Sequence, residues 1–199
     1  MKITNCLLFL FLTNLFLAQN ESKRFFLGNI LSDTTTLSRE QNGSPLTPIL
    51  NSSNKIEIRF IKSSGRNQTS YIVLSYSNNW EVKEYDYDYK TKSTTSADLA
   101  NKVNTDSLFD KLVSFNIFSL PDQDSLVLHK YEYDLESDEL IGHGIGFGCG
   151  GTCYYIEYKV GNQFRRYSYC NLESYVEFCP HVHELQDFNR IVHLFQDIK

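Results

Sequence analysis

The stretch Tyr154-Tyr-Ile-Glu-Tyr-Lys-Val160, Gly161-Asn162, Gln163-Phe-Arg-Arg-Tyr-Ser-Tyr-Cys170 reads as two strands and the turn that joins them. Glycine and asparagine tolerate the positive φ that a two-residue hairpin turn demands. The flanks are rich in aromatic and β-branched residues, as strands are. A two-residue turn fixes the register, so Val160 opposes Gln163 and each step outward pairs the next residues. Glu157 then faces Arg166, a favourable cross-strand charge pair. Cys153 faces Cys170 on a non-hydrogen-bonded pair, where Cα atoms approach to about 4.5 Å. That separation lies near the short end of the disulfide range.

Working outward, strand patterns recur upstream. Lys55-Ile-Glu-Ile-Arg-Phe-Ile61 alternates, Tyr71-Ile-Val-Leu-Ser-Tyr76 is rich in strand formers, and Ser77-Asn78 reads as a turn. Trp80-Glu-Val-Lys-Glu-Tyr-Asp-Tyr-Asp-Tyr89 alternates again. A helix is expected next, capped by Thr105 or Asp106, with Leu108, Phe109, Leu112, Val113 and Phe115 on one face and Pro121 marking its stop. Leu126 to Tyr133 is a possible strand. After the Gly161-Asn162 hairpin the chain closes with a second helix, where Leu185, Phe188, Ile191, Val192, Phe195 and Ile198 recur at helical spacing.

The two halves can be laid together. Tyr71-Ile-Val-Leu-Ser-Tyr-Ser-Asn-Asn-Trp80 matches Tyr155-Ile-Glu-Tyr-Lys-Val-Gly-Asn-Gln-Phe164 without gaps, and Phe109–Phe115 matches Phe188–Leu194 in character. The expected fold class is α+β. One antiparallel sheet is built from two hairpin–helix repeats, about 55–121 and 122–199, with two helices packed on one face because each has a single apolar stripe to bury.

The N-terminus reads as an export signal over residues 1–18. Lys2 is followed by the apolar run Cys6–Ala18, and Gln19, Asn20 and Glu21 turn polar. Such a run suits a signal-peptide core and is short of the roughly 20 residues that cross a bilayer. Residues 19–54, rich in Ser, Thr, Asn and Gln, read as an irregular lead-in, and 55–199 as a single domain. The expected location is therefore secreted or periplasmic. Without Lys2 the chain keeps 18 Lys and Arg against 24 Asp and Glu, a net charge of −6. With no basic stripe, nucleic acid is an unsuitable partner. No second apolar run reaches membrane length.

Removing the signal removes Cys6 and leaves Cys149, Cys153, Cys170 and Cys179. An even count in an exported chain favours disulfides. The hairpin register favours Cys153–Cys170 with Cys149–Cys179, against the rival set Cys149–Cys153 with Cys170–Cys179. Either set stabilises by about 2–4 kcal/mol per bridge. The same cysteines with His181 and His183 could instead hold zinc, although the spacing Cys-x3-Cys, Cys-x8-Cys-Pro-His-x-His fits no standard pattern. On an extended segment His181 and His183 would point the same way and could bind a metal weakly.

Other motifs lead less far. Gly146-x-Gly148-x-x-Gly151 matches a dinucleotide fingerprint in form only, because a strand follows it and no acidic residue sits at the required offset. A thiol nucleophile at Cys149, with His143 or His181 as base, would need a reduced cysteine. No serine lies in a Gly-x-Ser-x-Gly turn. Along Glu84–Tyr89, Tyr85, Tyr87 and Tyr89 share one face and Glu84, Asp86 and Asp88 the other. The plain structural reading is an aromatic inner face and a solvated acidic outer face. The functional reading is an aromatic recognition surface for a protein or glycan.

The segments Phe115-Asn-Ile-Phe-Ser-Leu-Pro-Asp122 and Tyr155–Tyr169, with Leu-Ala-Gln closing the signal, resemble small exported proteins of Bacteroidetes-type bacteria that carry hairpin–helix repeats. The resemblance covers roughly the C-terminal half. It implies export and the hairpin–helix layout and no activity. The sequence thus points to a secreted, non-enzymatic module, without cofactor, that binds a protein or surface polymer. The alternative is a metal- or thiol-dependent enzyme using the Cys149–His183 region.

Overall fold

The computed structural model of the chain describes residues 46–64, 68–126, 129–134, 138–144 and 151–198, with backbone only for most of 129–144. Eight strands and three helices are present among them: β1 (Ile56–Ser64), β2 (Gln68–Tyr76), β3 (Trp80–Asp88), β4 (Ser93–Asp98), α1 (Thr105–Ser114), β5 (His129–Asp134), β6 (Glu139–Gly144), β7 (Cys153–Val160), β8 (Gln163–Cys170), α2 (Leu172–Phe178) and α3 (His183–Gln196). Six strands form one sheet in the order β4-β3-β2-β1-β7-β8, and β5 pairs with β6 separately. Every pairing is antiparallel. The architecture is α+β. The expected signal segment and most of the expected lead-in fall outside the described residues. No helix among the described residues is long and apolar enough to cross a membrane.

The strand β1 is central because it can be buried on both faces. Ile58 and Phe60 point one way, Glu57, Arg59 and Ile61 the other, and all five are buried. On the first face Phe60 stacks on Phe195 of α3 at 4.7 Å between ring centroids, and Trp80 meets Phe109 of α1 at 4.8 Å. The registers put Phe60 and Trp80 on the same side, so α1 and α3 lie against one face. The core between them holds Leu74, Val82, Ile156, Leu112, Phe188 and Ile191, each no more than 1% exposed.

The segment after α1 is docked by side chains rather than by strands. Tyr167 Oη donates to the Ile117 carbonyl at 2.6 Å, Tyr158 Oη to Phe118 at 2.7 Å and Tyr169 Oη to Pro121 at 2.9 Å. Arg165 donates to the Phe118 carbonyl at 3.2 Å and to Leu120 at 2.7 Å. A buried carbonyl needs a donor, and here β7 and β8 supply donors to four of the five carbonyls from Ile117 to Pro121. Burial pushes the Tyr167 phenol well above its ordinary range, so it stays a donor.

The opposite face carries charge. Arg59 pairs with Glu57 at 2.6 Å and lies 3.8 Å from Glu157, which Arg166 meets at 3.3 Å. The end of the lead-in closes over this network. Arg59 donates to the Thr47 carbonyl, Asn54 donates to Glu57, Ser52 bonds Glu57 through its hydroxyl, and Lys159 reaches the Ser52 carbonyl. Residues 49–51 form a 3-10 turn and Ile49 is buried. The last part of the expected irregular lead-in is thus tied to the sheet.

Several expectations change. The cap of α1 is Asn104, whose side chain accepts from the Ser107 amide at 3.0 Å. Thr105 and Asp106 lie inside the first turn. Strand β4 and helix α2 were not anticipated. The gapless match between the hairpins holds through β2 and β7 and then fails. A three-residue turn at 77–79 against a two-residue turn at 161–162 puts Trp80 on the helix side and Phe164 on the other.

Candidate functional site

The hairpin counted from Gly161-Asn162 closes as the register requires. Gly161 has φ +59, Val160 opposes Gln163 and Glu157 opposes Arg166. Cys153 and Cys170 are joined by a disulfide with Cα atoms 4.0 Å apart. On a non-hydrogen-bonded pair the backbone groups of Cys170 point outward, and the Gln123 carboxamide takes both. Its Oε1 accepts from the Cys170 amide at 2.6 Å and its Nε2 donates to the Cys170 carbonyl at 3.2 Å. A side chain thereby finishes the edge of the sheet that a further strand would otherwise pair.

This bridge removes two thiols from the proposed Cys/His cluster. Cys179 is a buried free thiol whose pKa burial pushes up, which lowers its thiolate fraction. Cys149, its expected partner, lies outside the described residues, as do Gly146 and Gly148. His181 sits in a turn and His183 begins α3, both exposed. The two do not lie on one extended strand: a turn ends at His181, with the Val182 amide donating to the Cys179 carbonyl at 3.1 Å, and the helix starts at His183. Among the described residues no group of three or more His, Cys, Asp or Glu is placed to hold a metal ion. The side chain of His143, on β6, is outside the described set.

The tyrosines of β3 divide. Tyr85 and Tyr87 lie on the charged face, opposite the helices, and are half-buried. Tyr89 follows the strand, packs edge-on against Tyr87 at 4.8 Å and is 36% exposed. Its hydroxyl accepts from Thr69 Oγ1 at 3.4 Å. The acidic residues Glu84, Asp86 and Asp88 occupy the helix-bearing side, the reverse of an aromatic inner face. This arrangement is possible because the helices cover only part of the sheet. Strand β3 begins beneath α1 at Trp80 and runs out beyond it.

A recess opens where the cover ends. One row of opposed residues crosses all six strands: Tyr169, Tyr154, Lys62, Ser70, Asp86 and Thr95. Its first two members are buried beside α3, with Tyr169 stacked on Phe188 at 4.0 Å. The remaining four are polar and half-buried or exposed. The next row outward is Ser64, Gln68, Asp88 and Ser93, again polar throughout. These eight side chains line a hollow of about 400 Å³ together with parts of Thr69 and Tyr87. That volume falls within the range of small-ligand sites, about 300–1,000 Å³, though such sites are usually more apolar.

The charges in the hollow are unevenly satisfied. Asp88 accepts from the amides of Thr91 at 3.1 Å and Lys90 at 2.7 Å, which hold its carboxyl below the usual range. Lys62 lies 6.0 Å from the centroid of the Tyr154 ring, within reach of a cation–π attraction. Tyr154 itself is fixed by donating to Glu173 at 3.0 Å, and burial together with Glu173 pushes its phenol up to about 12. Asp86 has no hydrogen bond or ion pair among the described residues.

The sequence reading named Asp86 and Asp88 only as an acidic strand face and missed the other six residues. Those six are spread over three strands, and Ser93-Thr-Thr-Ser-Ala-Asp98 has no alternating apolar pattern to announce a strand. Comparison with protein families, with curated proteins and with solved structures gives no match.

Proposed function

We propose that the chain is an exported, non-catalytic module that binds a saccharide of a surface polymer in the polar hollow at the open end of its sheet. The observation that carries this reading is the pair of four-residue polar rows lining that hollow. Serine and threonine hydroxyls both donate and accept, carboxylates accept and a carboxamide does both. Such an array matches the adjacent hydroxyls of a sugar and offers little to an apolar side chain. Adjacent strands lie about 4.8 Å apart, so four strands span about 14 Å, enough for one or two linked sugar rings. The Cys6–Ala18 run and the Cys153–Cys170 bridge support export.

A thiol or metal enzyme is less well supported. Cys153 and Cys170 are consumed by their bridge, Cys179 is buried, and His181 and His183 belong to no group of metal-ligating side chains among the described residues. The test is an oligosaccharide array probed with the mature chain and with Thr95→Trp, which fills the hollow from an exposed edge strand and leaves the core untouched. Binding to at least one saccharide class that the variant loses is the expected result. Failure of the mature chain to bind any saccharide would overturn the proposal.

A further inference from the structure

We infer that the hollow is built for an amino sugar bearing a free ammonium group, recognised by Asp86. The inference rests on the saccharide reading above and adds the ligand's charge. Among the described residues two carboxylates and one ammonium line the hollow, a net negative charge. The cation is also set to one side. In the cross-strand row, Ser70 separates Lys62 from Asp86, about 10 Å at the usual strand spacing. Lys62 instead lies by the Tyr154 ring, at the margin of the helix-covered area. No ion pair joins Lys62 to Asp86 or Asp88 among the described residues.

The two carboxylates differ in what they can do. Asp88 spends one oxygen on the Lys90 and Thr91 amides, holding the turn between β3 and β4. Asp86 is exposed and holds no internal partner among the described residues. Hydroxyls flank it on both neighbouring strands, Ser70 on β2 and Thr95 on β4. A sugar ammonium over Asp86 would gain a charge-assisted hydrogen bond while its ring hydroxyls meet Ser70, Thr95 and the Gln68 carboxamide. A neutral N-acetyl group would forgo that charge, and a uronic acid would be repelled by it. The chain as a whole, at −5, reinforces the preference for a cation.

The experiment titrates the mature protein with three probes: a glucosamine trimer, its N-acetylated counterpart and a galacturonate trimer. Wild type, Asp86→Asn and Lys62→Gln are compared by calorimetry at low salt and again at 0.5 M salt. The glucosamine trimer should bind at least tenfold more tightly than the acetylated one. Asp86→Asn should erase that difference, as should high salt, through screening. Lys62→Gln takes a positive charge out of the hollow, so it should keep or widen the preference for the glucosamine trimer over the acetylated one. All the altered groups are polar and near the surface, so both variants should fold. Equal binding of the glucosamine and N-acetylated trimers would overturn the amino-sugar inference and leave the saccharide reading standing. Preferred binding of galacturonate, lost in Lys62→Gln, would show that Lys62 is the charge that selects. Binding of no trimer would overturn both.

Discussion

Replacing Tyr167 by phenylalanine removes one oxygen atom from the docked segment after α1. The lost group donates to the Ile117 carbonyl at 2.6 Å, and both residues are no more than 1% exposed. No other donor to that carbonyl exists among the described residues, so the variant leaves a buried acceptor unsatisfied. Such a group costs about 1–3 kcal/mol, and about 2 kcal/mol is expected. At a urea dependence of about 2 kcal/mol per molar, the denaturation midpoint should fall by about 1 M. Two comparisons isolate the cause. The Phe118 carbonyl accepts from both Tyr158 and Arg165, so Tyr158→Phe leaves it a partner and should cost about 1 kcal/mol or less. Tyr85→Phe, on a half-buried tyrosine with no hydroxyl bond among the described residues, should stay within about 0.5 kcal/mol. Equal shifts for Tyr167→Phe and Tyr85→Phe would refute the view that hydroxyl donors hold the segment 117–121.

Two further predictions concern the cross-link and the buried charges. Cys153→Ser should expose Cys170 to alkylation without reduction and lower stability by about 3 kcal/mol, the scale for a loop of this length. Alkylation of Cys170 in unreduced wild type would contradict the bridge. Burial works against the Glu57 carboxylate, but Ser52, Asn54 and Arg59 outweigh it and leave its pKa below the ordinary 4.5. The native state therefore holds that proton less tightly than the unfolded chain. Its stabilising contribution is full above about pH 4.5 and fades as pH falls through the lowered native value. Urea midpoints measured from pH 7 to 3 should decline less steeply for Glu57→Gln than for wild type. Parallel curves would show that other carboxylates govern the acid limb.

How much of this was legible depends on how local the determinants are. Gly161-Asn162 sets a two-residue turn, and from it the Cys153–Cys170 and Glu157–Arg166 pairings follow by counting. The apolar stripes of α1 and α3 were equally plain, since Leu112 or Phe188 has only one place to be buried. The Phe115–Asp122 stretch looked like the tail of a helix and its stop. Its real role depends on Tyr158, Arg165, Tyr167 and Tyr169, 40 to 50 residues later, and nothing in either piece alone announces the match. Strand β4 carries no apolar alternation because all six of its residues are exposed. The hollow was hidden for the same reason. It exists only once four strands bring Lys62, Ser70, Asp86 and Thr95 into one row and the helices stop short of covering them.

The most direct test of the account is to watch side-chain signals while the mature chain is titrated with a mixture of glucosamine, N-acetylglucosamine and galacturonate oligomers. The Gln68 carboxamide reports on the hollow, and the ring protons of Tyr85, Tyr87 and Tyr89 report on the aromatic side of β3 and the turn after it. The account predicts saturable shifts of the Gln68 carboxamide with the Tyr85 ring unmoved. Shifts confined to the three tyrosine rings, or no shift with any oligomer, would contradict it.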